Sequence, residues 1–264
     1  MFDFSKKYAV ISGASSGIGL AIAEGLAEGG ANLVLLSRKQ SDNIESMKNQ
    51  YSQLDIQWHE CDVTDHRMIK DVVDKLVDAN IEVSYLINNV GIALGAPKTF
   101  WGQDIDTVKK VVDTNVSGSV HLLHEFLARI FVPQNKGTIL NLSTITALEP
   151  TVLGSGEVTY HSSKAFLEGM VNSIRNELMG TDIRILTLRP GFVKTKFHLN
   201  RVNNDDDAFN DIFKGIEPLD PQDVALEALW MISRPDRISV KALDVVPTAQ
   251  KSLTEVDRSW NDRH

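Results

Sequence analysis

Short runs of apolar residues alternate along the chain with longer segments in which apolar residues recur every three or four positions. Most of the short runs are continuous rather than alternating, which is typical of strands buried on both faces of a parallel sheet. The pattern predicts seven strands, at 8–11, 32–36, 56–59, 84–87, 138–142, 183–188 and 243–246. Between them it predicts six helices, at about 18–28, 41–51, 66–78, 106–131, 160–179 and 222–232.

Strands that alternate with helices in this way form βαβ units, whose right-handed crossovers place helices on both faces of one sheet. We therefore predict an α/β fold with a doubly wound, seven-stranded parallel sheet. No low-complexity linker or internal repeat divides the chain, so residues 1–264 are predicted to form a single domain. Segment 194–218 is predicted to be irregular, with a solvated acidic run at 205–207. Its length suits a lid over a binding site.

Composition and charge narrow the classes of function. Hydrophobic residues make up 42% and charged residues 23% of the chain, as in globular rather than disordered proteins. The net charge of −8 repels phosphate backbones, so we expect no nucleic-acid partner. No apolar stretch is long and unbroken enough for a membrane helix or a signal peptide, and the single cysteine allows no internal disulfide. We therefore expect a cytoplasmic protein without a membrane partner, and the seven histidines show no metal-ligand spacing.

The first predicted strand is followed by a glycine-rich turn and then by a helix. The turn has the spacing G-x-x-x-G-x-G over residues 13–19. Glycines at this place let the backbone approach a pyrophosphate closely, and the helix N-terminus adds N–H groups and a partial positive charge. The same pattern also fits a plain strand-to-helix turn. We assign it to dinucleotide binding through Gly13, Ser15, Ser16, Gly17, Ile18 and Gly19.

The end of the second strand indicates which dinucleotide binds. A fold that prefers NAD usually has an acidic residue here, which binds the ribose 2′-hydroxyl. This chain has Ser37 followed by Arg38, and a guanidinium can bind a 2′-phosphate with charge-assisted hydrogen bonds. We therefore predict NADP or NADPH as the cofactor, with Ser37 and Arg38 in contact with it. The alternative is that Arg38 is a solvated charge at the start of a helix.

A tyrosine and a lysine lie four residues apart at the start of a predicted helix. Tyr160 and Lys164 therefore share one helix face and can point into the same pocket. A tyrosine with its ordinary pKa of about 10 is a poor base at neutral pH, and a nearby cation lowers that pKa. The pair can then exchange a proton with a substrate oxygen. The spacing is common by chance, but it is informative behind a dinucleotide-binding turn.

Taken together, these motifs resemble those of the short-chain dehydrogenase/reductase family, in the same order and over nearly the whole chain. The matching segments are Gly13–Gly19, Asn88–Gly91, Asn115, Ile139–Ser143, Tyr160 with Lys164, and Arg189–Gly191. The combination is specific, although each segment alone is not. The resemblance implies a Rossmann-like fold and an oxidoreductase activity.

The resemblance also implies roles for four catalytic positions. Tyr160 resembles the family's proton donor and acceptor, and Lys164 resembles the residue that binds the nicotinamide ribose and tunes the tyrosine. Asn115 matches the asparagine that holds a water molecule for proton relay, and it lies among weak helix formers that predict a kink. The family's catalytic serine falls on Thr144, with Ser143 one residue earlier as the alternative. Either hydroxyl can donate to a substrate carbonyl.

Further cofactor contacts follow from the resemblance. The pair after the third strand resembles the residues that contact adenine, and the loop after the fourth strand resembles the one beside the adenosine ribose. The segment after the sixth strand resembles the one that binds the nicotinamide carboxamide. The residues at these three places are Asp62, Val63, Asn89, Gly91, Pro190, Gly191, Val193 and Thr195.

Segments 91–95, 111–115, 218–233 and 243–250 resemble the NADP-dependent branch that oxidises 3-hydroxy acids, including serine and allo-threonine. This implies hydride transfer between nicotinamide and a secondary alcohol or its carbonyl. A hydroxy acid needs a cation for its carboxylate, and the candidates are Arg201, Lys194 and Lys196, all in the predicted lid. Each of them is otherwise explained as a solvated lid charge.

Other functions stay open at this stage. One is a carbonyl reductase for a diketone, a quinone, a pterin or a steroid ketone, because the lid decides substrate choice. Another is an inactive NADP-sensing protein, which would be expected to lack Tyr160 or Lys164, although both are present. The expected partners are a small-molecule substrate and further copies of the chain, since the family usually forms homodimers or homotetramers.

Overall fold

In the computed structural model, which describes residues 2–149, 156–202 and 204–264, seven strands form one parallel sheet in the order β3-β2-β1-β4-β5-β6-β7. The strands are β1 (Tyr8–Ser12), β2 (Asn32–Ser37), β3 (Ile56–Glu60), β4 (Val83–Asn88), β5 (Lys136–Leu142), β6 (Asp182–Pro190) and β7 (Ala242–Val245). After β3 the chain crosses back to place β4 beside β1. The strand order therefore reverses between β1 and β4, and a ligand crevice is expected at the carboxyl ends of these strands.

Helices cover both faces of the sheet, as predicted. They are α1 (Gly17–Glu28), α2 (Asp42–Gln50), α3 (His66–Asp78), α4 (Ile105–Val112), α5 (Gly118–Phe126), α6 (Val132–Gln134), α7 (Val158–Glu177), α8 (Lys196–Arg201), α9 (Asp206–Ile212) and α10 (Pro221–Ile232). Within β1, Ala9 and Ile11 pack in the core with α1, α2 and α10, whereas Val10 packs in the core with α3, α5 and α7. This alternation confirms the doubly wound architecture. No helix of the described ranges is long and apolar enough to cross a membrane.

The helix predicted at 106–131 is longer than expected and is interrupted twice. α4 runs into a π-helical turn at Asp113–Ser117, α5 follows, and a second π-helical turn spans Leu127–Phe131. In the first turn the Gly118 amide donates to the Asp113 carbonyl, five residues back. The weak helix formers around Asn115 therefore lie in a turn that widens the helix by one residue, and such turns are frequent at functional sites.

The prediction that segment 194–218 is irregular is wrong, because it contains α8 and α9. The acidic run that was assigned to a solvated surface starts α9: the Asp205 side chain accepts a hydrogen bond from the Ala208 amide, and Asp206 and Asp207 fill the first turn. Acidic groups at a helix N-terminus cap free amides and complement the helix dipole. The apolar side of the segment, including Ile212, joins a small third core with Phe192.

Candidate active site

A large cavity opens at the carboxyl ends of the strands, with a volume of about 1270 Å³. This exceeds the roughly 300–1,000 Å³ of ordinary small-molecule sites, so there is room for a dinucleotide together with a substrate. The predicted site residues that line it are Gly13, Ser15, Ser16, Gly17, Ile18, Ser37, Arg38, Asp62, Val63, Asn89, Gly91, Ser143, Thr144, Tyr160, Lys164, Pro190, Gly191, Val193 and Thr195. Gly19 and Asn115, also predicted, lie behind the cavity wall.

The glycine-rich turn has the backbone conformation that its sequence requires. Gly13 and Gly17 have φ angles of +69° and +58°, in the left-handed region that favours glycine. Gly19 contributes differently from the prediction, because a Cβ there would lie 2.4 Å from the Gly13 carbonyl oxygen and from Asn89 Nδ2. Asn89 Nδ2 in turn donates to the carbonyls of Ser12 and Gly13. Gly19 therefore permits the close packing that shapes the turn.

The phosphate end of the cavity suits an anion. In the described structure, the Ser16 side chain caps none of the α1 amides, and the first turn of α1 has no acidic residue. These amides are therefore available to a pyrophosphate. Arg38 is exposed at the end of β2, on the cavity wall. The Ser37 hydroxyl is already engaged, since it donates to the Lys39 carbonyl and accepts from Trp58 Nε1.

Tyr160 and Lys164 lie one helical turn apart on α7, and both side chains are buried. Lys164 Nζ donates to the Leu142 carbonyl over 2.7 Å, and burial lowers the pKa of Lys164 to about 8. Burial raises the pKa of Tyr160 to about 12, while Arg201 acts in the opposite direction. Arg201 is thus a cation that favours the tyrosinate, and the tuning of Tyr160 by Lys164 stays a prediction.

The two candidate hydroxyls differ in their surroundings. The Thr144 hydroxyl acts against the burial that raises the pKa of Tyr160, and so favours the tyrosinate. Thr144 Oγ1 also lies 3.4 Å from the Pro190 carbonyl and accepts from the Thr146 amide. Ser143 Oγ is buried and has no hydrogen-bond partner among the described residues. Both hydroxyls line the cavity, and the assignment of the catalytic hydroxyl to Thr144 rather than Ser143 stays a prediction.

Asn115 lies in the first π-helical turn, and its side chain is fully engaged with the protein. Its amide nitrogen donates to the Ile92 carbonyl and to Ser163 Oγ, and its oxygen accepts from the Ile92 amide. The side chain thus fixes the loop after β4, which carries Gly91 past the Lys164 ammonium. A Cβ at Gly91 would lie 3.1 Å from Lys164 Nζ. The water-relay role of Asn115 stays a prediction.

Comparison with known proteins now assigns the fold and the site to a family. A family model described as short chain dehydrogenase matches residues 7–206. The chain belongs to this family. Sulfoacetaldehyde reductase 2 of Chromohalobacter salexigens is 31% identical over 94% of this chain and 98% of that protein. The NADP-dependent 3-hydroxy acid dehydrogenase of Schizosaccharomyces pombe is 33% identical over 96% of both chains. A serine dehydrogenase, solved in a closed form with NADP+, is 25% identical over 93% of this chain and 96% of that chain, with a TM-score of 0.84.

In this short-chain dehydrogenase, α8 places three side chains near Tyr160. The sequence analysis did not predict two of them, and it gave the third another role. The Phe197 ring lies 5.4 Å from the Tyr160 ring, and His198 is buried beside Arg201. Arg201, which was considered as a cation for a substrate carboxylate, is itself buried and paired with Glu157. Glu157 was not predicted at all. The signal in the sequence that could have identified Glu157 as a site residue is its position three residues before Tyr160.

The C-terminal segment of the dehydrogenase also reaches the cavity. Gln250 lines it, and Gln250 Oε1 accepts from the Phe192 amide over 3.1 Å. The amide nitrogen Nε2 is buried without a partner among the described residues. Gly191 permits this approach, because a Cβ there would lie 2.3 Å from Gln250 Oε1. Sequence reasoning used Gln250 only as part of a branch motif and not as a site residue.

Proposed function

We propose that this chain is an NADP-dependent oxidoreductase that transfers a hydride between nicotinamide and a secondary alcohol or its carbonyl. The observation that carries the proposal is that the buried Tyr160, Lys164 and Thr144 side chains line the same cavity as the glycine-rich turn. One end of that cavity offers free helix amides to a pyrophosphate. The other offers a proton donor beside a second hydroxyl, as alcohol and carbonyl chemistry requires.

The residues at the cofactor end of the cavity support NADP as the cofactor. Arg38 follows β2 where an NAD-preferring protein usually carries an acid, and the relatives named above include NADP-dependent and NADP-bound proteins. We expect Arg38→Ala to weaken NADPH binding by about tenfold or more, because it removes a charge-assisted contact, and to change NADH binding little. Lys39→Ala, at the exposed neighbour, is the control. Equal losses for both cofactors would contradict the assignment of the 2′-phosphate to Arg38.

Side chains of the protein would exchange the proton that accompanies hydride transfer. The bound nicotinamide supplies or accepts the hydride. Tyr160, with its raised pKa, holds a proton that it can give to a substrate oxygen during reduction, and Thr144 orients that oxygen. Lys164 would contact the nicotinamide ribose and hold the Leu142 carbonyl. We propose that 194–218 acts as a lid, because α8 covers Tyr160 with Phe197 and so excludes water.

The substrate class that the relatives support is a 3-hydroxy acid or a hydroxy amino acid. One relative is a serine dehydrogenase and another a 3-hydroxy acid dehydrogenase. The third is a reductase of sulfoacetaldehyde, a small carbonyl compound with an anionic group. Three cationic side chains of segment 194–218 line the cavity and could attract the anionic group of such a substrate: Lys194, Lys196 and Arg201. A homodimer or a homotetramer stays the expected assembly.

A spectrophotometric screen at 340 nm tests the proposal, with NADP against NAD and with 3-hydroxy acids, serine and threonine isomers and dicarbonyls as substrates. We expect turnover with NADP, and we expect Tyr160→Phe to lower kcat by about 10²–10⁴-fold because the proton donor is lost. NADPH binding, measured by fluorescence, should survive in the same variant. Turnover that is unchanged in Tyr160→Phe would rule out the mechanism.

A further inference from the structure

Two side chains of α8 lie against Tyr160, and the proposed mechanism uses only one of them. Phe197 and Arg201 are four residues apart, so they share one face of the helix. The Phe197 ring lies 5.4 Å from the Tyr160 ring, and the guanidinium carbon of Arg201 lies 5.7 Å from the centre of that ring. Arg201 is buried and lines the cavity. The segment that covers the proton donor therefore carries a buried cation to it.

Glu157 holds Arg201 in this place. Arg201 Nε donates to Glu157 Oε1 over 2.5 Å, and a second guanidinium nitrogen pairs with Oε2. The two side chains are only 4% and 6% exposed. Glu157 immediately precedes α7, three residues before Tyr160. The ion pair thus joins segment 194–218 to the main body of the fold, at the start of the helix that carries the reacting hydroxyl.

The two charges act on Tyr160 in opposite directions. Burial raises the pKa of Tyr160 to about 12, the positive charge of Arg201 lowers it, and the negative charge of Glu157 raises it. Arg201 has the larger effect of the two. The guanidinium lies close to the ring, and its attraction to the phenol grows as the oxygen loses its proton. Arg201 therefore makes the phenol a stronger acid in spite of its counterion.

The ionisable groups on the main body of the fold do not depend on α8. Lys164 is a buried cation one turn along α7 from Tyr160, and a backbone carbonyl at the end of β5 holds its ammonium. Glu168, a further turn along, is paired with Arg189. His161 follows Tyr160 in the chain and is half-buried. Because α7 and β6 carry these side chains, they keep their places whether or not α8 covers Tyr160.

The other basic side chains near the start of segment 194–218 differ from Arg201. Burial and the adjacent Arg201 lower the pKa of His198 to about 3, so this side chain is neutral at physiological pH. Lys194 and Lys196 are exposed, and solvent and salt screen their charges. Arg201 is therefore the group through which the position of α8 changes the charge around Tyr160.

We propose that Arg201 is a positioning residue for proton transfer: the proposed lid uses it to bring a positive charge against Tyr160, and Glu157 holds it there. The inference rests on the proposed function and adds a residue to it. In reduction, Tyr160 gives its proton to the substrate oxygen, and the electron pair of its O–H bond stays on the phenolate, close to the guanidinium. Arg201 stabilises this phenolate without touching the substrate. Proton transfer is therefore fastest when α8 covers Tyr160.

The two partners of the ion pair make a matched comparison for the test. Arg201→Met keeps the length of the side chain and removes the positive charge. Glu157→Gln keeps an oxygen that can accept from Arg201 and removes the negative charge. Each variant leaves one buried charge without its counterion, so any structural damage should be similar in the two. An effect on proton transfer, in contrast, separates them.

The first measurement is kcat for NADPH oxidation with 2,3-butanedione, an uncharged dicarbonyl that forms no ion pair with Arg201. Arg201→Met should lower kcat by about tenfold because Tyr160 becomes a weaker acid, whereas Glu157→Gln should not lower it. The solvent deuterium isotope effect on kcat should rise in Arg201→Met, since proton transfer then limits the rate more, and should not rise in Glu157→Gln. Lys214→Met, which removes an exposed cation after α9, should change neither quantity.

The double variant Arg201→Met/Glu157→Gln guards against a single variant that does not fold, because it leaves neither partner as an unpaired buried charge. It should lose about threefold in kcat, less than Arg201→Met alone, with a raised solvent isotope effect. NADPH fluorescence shows whether each variant is folded. If 2,3-butanedione is not turned over, the carbonyl compound with the highest kcat in the 340 nm screen replaces it.

If Glu157→Gln loses as much kcat as Arg201→Met, the ion pair only holds the structure and the inference is overturned. Wild-type kcat in the double variant would overturn it too, as would a loss of kcat in Arg201→Met without a larger solvent isotope effect. These outcomes leave the proposed function intact, because the wild-type protein still turns over. Failure of the proposed function has a separate sign, namely no reaction of any alcohol or carbonyl with NADP or NADPH in the 340 nm screen.

Discussion

The two ends of the cavity are built in different ways. At the cofactor end, the central strands end at the same edge of the sheet. The groups available to a cofactor there are largely backbone groups, such as the turn at Gly13 and Gly17 and the first amides of α1. At the substrate end, α8, α9 and the C-terminal segment meet over a small third core around Phe192 and Ile212. One end is fixed by the sheet and the other by a few side-chain contacts. Substitutions should therefore act on cofactor affinity at the first end and on substrate choice at the second.

The largest effect is expected for Gly19→Ala, at the cofactor end. The new Cβ would lie 2.4 Å from the Gly13 carbonyl oxygen, which is part of the backbone and cannot rotate away. The turn must shift, so we expect NADPH affinity to fall by about 100-fold or more and the free energy of unfolding to fall by about 1–3 kcal/mol, as for other overpacked sites. NADPH fluorescence titration and urea unfolding measure the two quantities.

Gly169→Ala provides the matched control for this substitution. Gly169 lies on the exposed side of α7, and a Cβ there would have no neighbouring atom within 4 Å. Since alanine is the better helix former by about 0.5–1 kcal/mol, this variant should be as stable as the wild type or more so. Wild-type NADPH affinity in Gly19→Ala would mean that the turn is far less rigid than the structure indicates.

The difference between the cofactor end and the substrate end also explains which features could be predicted from the sequence. The glycine-rich turn is a local feature, because its spacing and the flanking strand and helix lie within twenty residues. Tyr160 and Lys164 are likewise four residues apart on one helix. The doubly wound, seven-stranded parallel sheet followed from the alternation of strands and helices, and the structure confirms it. In each case the physical constraint acts between near neighbours in the chain, and a pattern can therefore record it.

The substrate end was predicted less well, because its contacts join distant parts of the chain. Glu157 and Arg201 are 44 residues apart, and no local rule pairs them. Gln250 contacts Phe192 across 58 residues. The helix α9 was missed for a different reason. Asp205, Asp206 and Asp207 are exposed, as predicted, but they are also a readable N-terminal helix signal that the prediction did not use.

A smaller effect is expected for Arg258→Ala, which tests whether the C-terminal segment holds the lid. Arg258 Nη1 donates to the carbonyls of Ile212 and Lys214, at the end of α9, over 2.8 and 2.9 Å. Because the side chain is exposed, we expect a loss of only about 1 kcal/mol in lid docking. The KM for substrate should rise several-fold, while NADPH affinity stays unchanged. Arg263→Ala, on the same segment but bonded only within it, is the control. A fall in NADPH affinity instead would mean that the two ends are coupled.

The smallest effects concern pH, since the cavity has two buried side chains, Lys164 and His198, whose pKa values burial lowers. Burial lowers the pKa of Lys164 from 10.5 to about 8 and that of His198 from 6.5 to about 3. Within each interval the unfolded chain binds more protons than the folded one, so folding stability rises with pH. The raised pKa values of Cys61 and Tyr160 act oppositely, but only above pH 9 and 10. The Lys164 contribution is therefore best measured between pH 8 and 9.

Urea unfolding of the wild type and of Lys164→Met at pH 8 and 9 should show a difference that grows by up to about 1 kcal/mol in favour of the wild type. The corresponding comparison with His198→Gln between pH 4 and 6 tests the lid. His198 keeps its low pKa only while α8 covers it, because an open lid returns the imidazole to water. If the lid is mostly open in solution, the His198 contribution disappears and the Lys164 contribution stays, since Lys164 is held by the Leu142 carbonyl at the end of β5, outside the lid. Parallel curves for both variants would contradict the burial of both side chains.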